Sequence, residues 1–379
     1  MNILIICHYG LYQEFSSSFV HAQAEAYAAL GHHVRVIVPI AVGKRDWDRK
    51  RLSVSLQRRE EDGVELFLLR FLSLSNYGEK GFNVSSAIRV IRRHFRALLD
   101  DFTPNIIHAH TLGFDSSVGA WLKKQLHVPL VVTTHGSDTS VPVAQGRAAS
   151  LKAYCDQADS VVAVSSALAG KLRSCGTQTP VSVILNGFHF RFLPEALGKD
   201  GITMLQAGHF SEQKRFHITI RSFAQIQKAH PEAALVLIGD GAKRRELENL
   251  CKKLGLEGSV RFTGQISNQA VLAKMGQARF FVMPSVNEGF GIVYLEAMAC
   301  GCVVIGTEGE GIADLIVSGK NGFLVPPDNP YAIARTVEWC LTHPREAETV
   351  AERGHQAALE LTWEKNAERY INLFEELVL

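Results

Sequence analysis

Short runs of Val, Ile, Leu and Phe alternate with segments of helical period along the whole chain. In the first half the runs are ILIIC, HVRVIVP, VELFLLRF, NIIHAH, PLVVTTH, SVVAVS and VSVILN. The second half restarts the alternation with ITMLQAG, AALVLIGDG, VRFTG, ARFFVMPS, CVVIGT and GFLVP. Each is strand-length, and most are apolar on both faces, as buried parallel strands are. Helix-period segments lie between several of them. One of these, FVHAQAEAYAALG, ends at Gly31, where a glycine C-cap belongs. The pattern predicts an α/β protein built from two parallel sheets. Residues 188–200 (FHFRFLPEALGKD) lack a clear period and separate the two series, so domains are expected over 1–187 and 188–362. The last segment, 363–379, is amphipathic, with Trp363, Ala367, Tyr370, Ile371 and Phe374 on one stripe.

A chain of 379 residues is long enough for two cores. Hydrophobic content of 46% with 21% charged residues fits a soluble globular protein. The net charge of +2, with no basic aromatic module, does not point to nucleic acid. No apolar run reaches the length of a membrane span. MNILIIC reads as a first buried strand rather than a leader peptide. The seven cysteines are scattered; only Cys300 and Cys302 are close, and they lack the partners of a zinc site. A reduced, cytoplasmic setting is the expectation.

The candidate chemistry concentrates in residues 285–316, SVNEGFGIVYLEAMACGCVVIGTEGEGIADLI. Glu288 stands in a glycine-bearing loop, and an apolar helix pattern containing Glu296 follows at once. A helix start offers unpaired N–H groups and the positive end of a dipole, which suits a phosphate. From Gly291 to Glu296 a helix rises roughly 8 Å, comparable to the reach across a diphosphate from a sugar to a ribose. Glu296 also lies in a run too apolar for a freely solvated face.

The string Glu288, Gly289, Phe290, Gly291, Leu295, Glu296, Ala297, Met298, Ala299, Cys300 and Gly301 resembles the donor-site signature of retaining glycosyltransferases of the GT-B fold, family 4. The resemblance implies two Rossmann-like domains facing each other across a cleft. The first would take the acceptor and the second the nucleotide-sugar donor, with the C-terminal helix (363–379) crossing back onto the first. It implies transfer of a sugar from a nucleoside diphosphate sugar to an acceptor hydroxyl with retained configuration and no metal or other cofactor. In that reading Glu288 holds sugar hydroxyls and Glu296 the ribose, with Gly289, Phe290, Gly291 and Ile292 completing the loop.

Other landmarks match in part. Gly208 and Lys214, in AGHFSEQK, stand where the family clamps the diphosphate, but His209 replaces the family's Arg and Arg215 follows the Lys. Lys214 is expected to supply the charge, and Arg215 can compensate. Gly239 resembles the strand-end turn near the nucleotide. Gly264 and Ile266 lie in the loop that meets the base in this family. In TEGEGIAD, Glu310 replaces a family glycine. Facing a diphosphate it would be repulsive, so it is expected to point away or to touch a cation on the donor or acceptor.

In the first half, His135 in TTHGSD resembles the family's histidine beside the donor sugar, able to orient it or share a proton, with Asp138 just behind. His108 and His110 read more naturally as structural. Gly10, Ser16 and Ser17 are what the sequence offers where the family has a phosphate- or acceptor-facing glycine pair; an ordinary N-cap accounts for them equally well. Arg89, Arg92, Arg93 and Arg96 share one helical stripe, and a basic cluster covers 44–51. Both suit an anionic lipid surface or a lipid-linked saccharide acceptor, though a solvated face is the commoner case. A peripheral position on the cytoplasmic membrane face would follow. Polysaccharide, lipopolysaccharide and glycolipid assembly all fit. Two other readings stay open: a nucleotide-sugar epimerase or hydrolase of the same fold, and a silent nucleotide-sugar-binding partner.

Overall fold

The computed structural model describes residues 1–8, 18–43, 56–73, 81–188, 193, 199 and 201–379. Gly10, Ser16, Ser17, the 44–51 cluster and most of 188–200 lie outside the described residues. The chain divides into two compact units: Met1–Gly187 with Trp363–Leu379, and Phe188–Thr362.

The first unit carries an eight-stranded sheet. Its strands are β1 (Asn2–Ile6), β2 (His33–Val42), β3 (Leu56–Glu61), β4 (Val64–Leu72), β5 (Ile106–His110), β6 (Leu130–Thr134), β7 (Ser160–Ala163) and β8 (Val181–Val183). Their spatial order is β3-β4-β2-β1-β5-β6-β7-β8. All pairings are parallel except β3 with β4. Sheets of this kind are covered on both faces, which is why IIHAH and LVVTT are buried at every position.

β3 was not expected. Its sequence, LQRREE, is exposed at nearly every residue, so no apolar alternation marks it. The signal lies in the turn: Asp62 and Gly63 both have positive φ, 50° and 76°, as a tight two-residue hairpin requires. Charged residues also suit an edge strand, because they discourage pairing with another chain.

The second unit holds six parallel strands: β9 (Thr203–Ala207), β10 (Ala234–Ile238), β11 (Val260–Gly264), β12 (Phe280–Val282), β13 (Val303–Thr307) and β14 (Phe323–Val325). Their order is β11-β10-β9-β12-β13-β14. The sheet grows one way from β9 and then the other way from β12, a doubly wound arrangement. Its core gathers Phe216, Phe223, Phe280, Ile305 and Val337 from the strands and covering helices, and Phe210 from the loop after β9.

The C-terminal helix (Trp363–Val378) belongs to the first unit. It packs on the helix Ser18–Ala29: Gln23 donates to Asn366 Oδ1 at 2.6 Å, and Tyr27 meets Phe374 with ring centroids 5.8 Å apart. Asn366 also donates to the Leu185 carbonyl at 2.7 Å, and the Tyr370 hydroxyl meets Thr133 Oγ1 of β6 at 2.9 Å. Among the described residues no helix is long and apolar enough to cross a membrane.

Phe374 is fully buried in this contact, whereas Arg369 on the same helix faces solvent. Phe374→Ala is expected to destabilise the first unit by about 3–5 kcal/mol, and Arg369→Ala by less than about 0.5 kcal/mol. Urea titrations of the two variants, following the transition of this unit, check the difference.

Candidate active site

Parallel strands all deliver their following loops to the same edge of a sheet. Where the strand order reverses, neighbouring loops diverge and leave a crevice at the carboxyl ends. In the second unit the reversal lies between β9 and β12. The loops leaving these strands carry 208–215 and 283–291, the residues that the sequence singles out.

Glycines let these loops approach closely. Gly239 has φ +132°, and a Cβ there would lie 1.9 Å from the Gly208 carbonyl oxygen, so no other residue fits. Its N–H donates to Gly264 O at 2.9 Å, joining the ends of β10 and β11. Gly208, at φ +150°, has the Lys214 side chain lying along its open side at 3.6 Å. Ile266 is half-buried in the loop before the helix Asn268–Gln277, which Ser267 caps.

Lys214 and Glu288 meet at the reversal point. Lys214 Nζ donates to Glu288 Oε2 at 2.5 Å, with the side chains 19% and 13% exposed. At so little exposure each charge relies on the other. The Glu288 loop is held from two further sides. Gln213 Nε2 donates to the Asn287 carbonyl at 2.9 Å, and Gln213 O accepts from Val286 N at 3.0 Å. Glu310 accepts the backbone N–H groups of Asn287 and Glu288, both at 2.9 Å. Glu310 is therefore neither turned away nor reserved for a cation; it is spent on the loop itself, because two adjacent N–H groups form a ready cradle for an anion.

The helix Ile292–Ala299 starts at Gly291, which has φ +81° and sits against the Tyr294 ring. Tyr294 is buried and donates its hydroxyl to the Met283 carbonyl, fixing this helix start beside the end of β12. Phe290 is also buried, so its side chain serves packing and only its backbone is available to the loop. Ile292 is half-buried. Glu296 lies one turn along, with the Asn268 amide donating to it at 3.4 Å; burial raises its pKa, and Asn268 partly offsets that.

The other basic residues near Lys214 are His209 and Arg215. His209 is exposed, packed by its ring edge against Gly241. Arg215 pairs with Glu212 at 2.6 Å and Asp328 at 2.9 Å. Its charge is taken up within the surface, so it does not stand free to replace the missing arginine.

The first unit reverses its order between β1 and β5, and a second pair of titratable groups lies there. His8, directly after β1, meets Asp115 Oδ2 at 2.7 Å, and Thr111 donates to the same oxygen at 2.9 Å. Asp115 is fully buried; burial raises its pKa, and His8 and Thr111 act against that. Burial lowers the pKa of His8, but Asp115 outweighs this and the net shift is upward. Sequence reasoning missed this pair, since an isolated His and an isolated Asp carry no mark until the strand order brings them together.

His135 follows β6, and its Nε2 lies 3.1 Å from His110 Nδ1 with the rings stacked. Phe19 covers the His135 ring at 4.5 Å. Among the described residues His135 Nδ1, His110 Nε2 and Asp115 Oδ1 are out of solvent without a hydrogen-bond partner. Asp138 holds the loop: its carboxylate accepts from Thr134 Oγ1 at 2.8 Å and from the N–H groups of Gly136, Leu112 and His135 at 3.0, 3.0 and 3.1 Å. His108 is buried, with Nε2 2.8 Å from Thr133 Oγ1, and is structural.

Burial, reinforced by neighbouring imidazoles, lowers the pKa values of His108 and His135 from 6.5 to about 3. Between these values the unfolded chain binds protons that the folded chain does not. Their contribution to stability is therefore present above about pH 6.5 and is lost as pH falls towards 3. The upward shift of His8 works in the opposite sense. Melting curves are expected to show the first unit losing stability from pH 7 to 4.5, with a shallower slope in His108→Gln; an unchanged slope in that variant would contradict the assignment.

Two family models match the chain: Glycosyltransferase Family 4 over residues 16–191, and Glycosyl transferases group 1 over residues 191–357. An N-acetyl-alpha-D-glucosaminyl L-malate synthase of Bacillus anthracis is 28% identical over 72% of this chain and 74% of its own. A sucrose-phosphate synthase from Thermosynechococcus elongatus superposes with TM-score 0.79 at 24% identity, covering 100% of this chain and 99% of that one. Anabaena HepE in complex with UDP and glucose gives 0.76 at 20% identity, over 100% of both chains. These two structures share the fold. The matches run almost end to end, and the chain belongs to the GT-B glycosyltransferases of the family 4, group 1 kind.

Proposed function

We propose that this glycosyltransferase moves a hexosyl group from a nucleoside diphosphate sugar to an acceptor hydroxyl with retention of anomeric configuration. The observation that carries the reading is the Lys214–Glu288 pair at the reversal point of the second sheet. A cation and a hydrogen-bond-accepting carboxylate side by side match the two things a donor presents there, a diphosphate and sugar hydroxyls. In this reading Lys214 and the helix start at Gly291 stabilise the departing diphosphate, which calls for no metal ion or other cofactor. Glu288 accepts from sugar hydroxyls, and Glu296 from the ribose. Gly208, Gly239, Gly264 and Ile266 shape the nucleotide side. The bond from the anomeric carbon to phosphate breaks as the bond to the acceptor oxygen forms. The acceptor proton leaves with the diphosphate.

The first unit supplies the acceptor side. His135 orients the sugar or shares the acceptor proton, and burial keeps it neutral for that task. The crystallised complex of HepE with UDP and glucose supports a UDP-sugar as the first donor to try. The acceptor we favour is a saccharide or lipid-linked saccharide of a surface polymer or glycolipid. Arg89, Arg92 and Arg93 on the helix Gly81–Arg93 and Arg96 on the helix Phe95–Leu99 are all exposed, but the break at His94 means that the four do not form one continuous helical stripe as the sequence pattern suggests. We propose that these arginines touch an anionic membrane face.

The test is a thermal-shift and transfer screen with UDP-, GDP- and ADP-sugars, followed by anomeric assignment of the product by NMR. A true donor raises the melting temperature. Lys214→Ala and Glu288→Gln are expected to lower kcat by about 10²–10³-fold. Glu296→Gln is expected to weaken donor binding by roughly tenfold or more, the scale of one hydrogen bond to a charged group. Rapid isomerisation of the donor without acceptor would favour an epimerase. Absence of both binding and transfer, with Glu288→Gln silent, would overturn the proposal.

A further inference from the structure

An acidic side chain beside a diphosphate site is unfavourable unless something local consumes its charge. Glu310 meets that condition through the backbone of the Glu288 loop. Its Oε1 accepts from Asn287 N and its Oε2 from Glu288 N, both at 2.9 Å. Asn287 has φ +56°, in the left-handed region, so the loop bends sharply just before Glu288. Successive N–H groups at such a bend converge on one point and form an anion cradle. In this chain the cradle already holds an anion of its own.

The neighbouring contacts fix the same loop. A Cβ on Gly311 would lie 2.0 Å from Gly289 O, so the short 3₁₀ helix Gly311–Asp314 that follows Glu310 starts directly against the backbone that follows Glu288. Gln213 Nε2 holds the Asn287 carbonyl. Loop 286–289 is thus gripped by its N–H groups from Glu310 and by a carbonyl from Gln213, and between these grips Glu288 reaches Lys214.

We propose that Glu310 is a positioning residue for Glu288: by occupying the cradle of Asn287 and Glu288 N–H groups, it fixes the carboxylate that receives the donor sugar. The inference rests on the donor-site reading above. It implies that Glu310 governs the sugar end of the donor and leaves the nucleotide end unaffected. The two N–H groups it takes are also closed to the diphosphate.

The near-isosteric Glu310→Gln separates this role from packing. The amide keeps the shape but turns an NH₂ towards one of the two N–H donors. Full-length wild type, Glu310→Gln and the exposed control Glu308→Gln are compared. Two readouts are taken: hydrogen exchange of the segment containing 286–289, and titration with UDP and with UDP-glucose. Glu310→Gln is expected to exchange at least tenfold faster at this segment, to bind UDP within about twofold of wild type, and to lose the extra affinity for UDP-glucose over UDP. Glu308→Gln is expected to match wild type throughout. Exchange and both affinities unchanged in Glu310→Gln would overturn the role of Glu310 alone. Equal losses for UDP and UDP-glucose would also overturn it, since they mean a general collapse of the site. Wild type binding none of UDP, GDP, ADP and their glucose conjugates would overturn the donor-site reading instead. Exchange would then still decide whether Glu310 holds the loop.

Discussion

Everything chemical in this chain depends on the reversal of strand order within each parallel sheet. A parallel pair needs a crossover, so every loop at the carboxyl edge opens in the same direction. At the reversal, two such loops leave on opposite sides and cannot cover the gap between them. The second unit fills that gap with Lys214 and Glu288 and the first with His8 and Asp115. Neither pair is close in sequence: Lys214 and Glu288 are 74 residues apart, His8 and Asp115 are 107 apart, and each meets only because β9 adjoins β12 and β1 adjoins β5.

A mostly buried ion pair is a poor way to gain stability, because desolvation of both charges offsets much of their attraction. In the proposed reading Lys214 and Glu288 are groups held for a ligand: each lies against the other in a partly dry setting, and each can exchange its partner for one that a nucleotide sugar brings. The surrounding glycines act to the same end. Gly208, Gly239 and Gly264 bring three strand ends within hydrogen-bond distance of one another, at positions where a Cβ at Gly239 would strike backbone at 1.9 Å. The frame of the site is thus built from backbone.

Much of this was legible in the sequence. The thirteen apolar runs read as strands correspond to thirteen of the fourteen strands among the described residues, since buried parallel strands are marked by their own composition. The exception, β3, hides in polar residues, and only the Asp62–Gly63 turn betrays it. The string around Glu288 and Glu296 falls at the carboxyl edge of the second sheet, beside the reversal of strand order. The sequence could not separate side chains that face the loop from those that pack beneath it, which is why Phe290 proves to be core. His8 and Asp115 escaped for a different reason. Their pairing depends on strand order, a property of the whole sheet that no local window contains.

The departures from the family pattern become coherent once charge is counted by location. The family clamps a diphosphate with Arg and Lys; here His209 is exposed and Arg215 is committed to Glu212 and Asp328, which leaves Lys214 as the cation of this cluster. The added carboxylate at Glu310 does not worsen the shortage, because its oxygens face backbone N–H groups that carry partial positive charge of their own. The negative charge is absorbed at the root of the loop, and Lys214 keeps Glu288 as its ion-pair partner. In the proposed reading, with Lys214 in place of an Arg–Lys clamp, anion binding leans more heavily on the helix start at Gly291 and on the hold that Glu310 keeps on the loop before it through the Asn287 and Glu288 N–H groups.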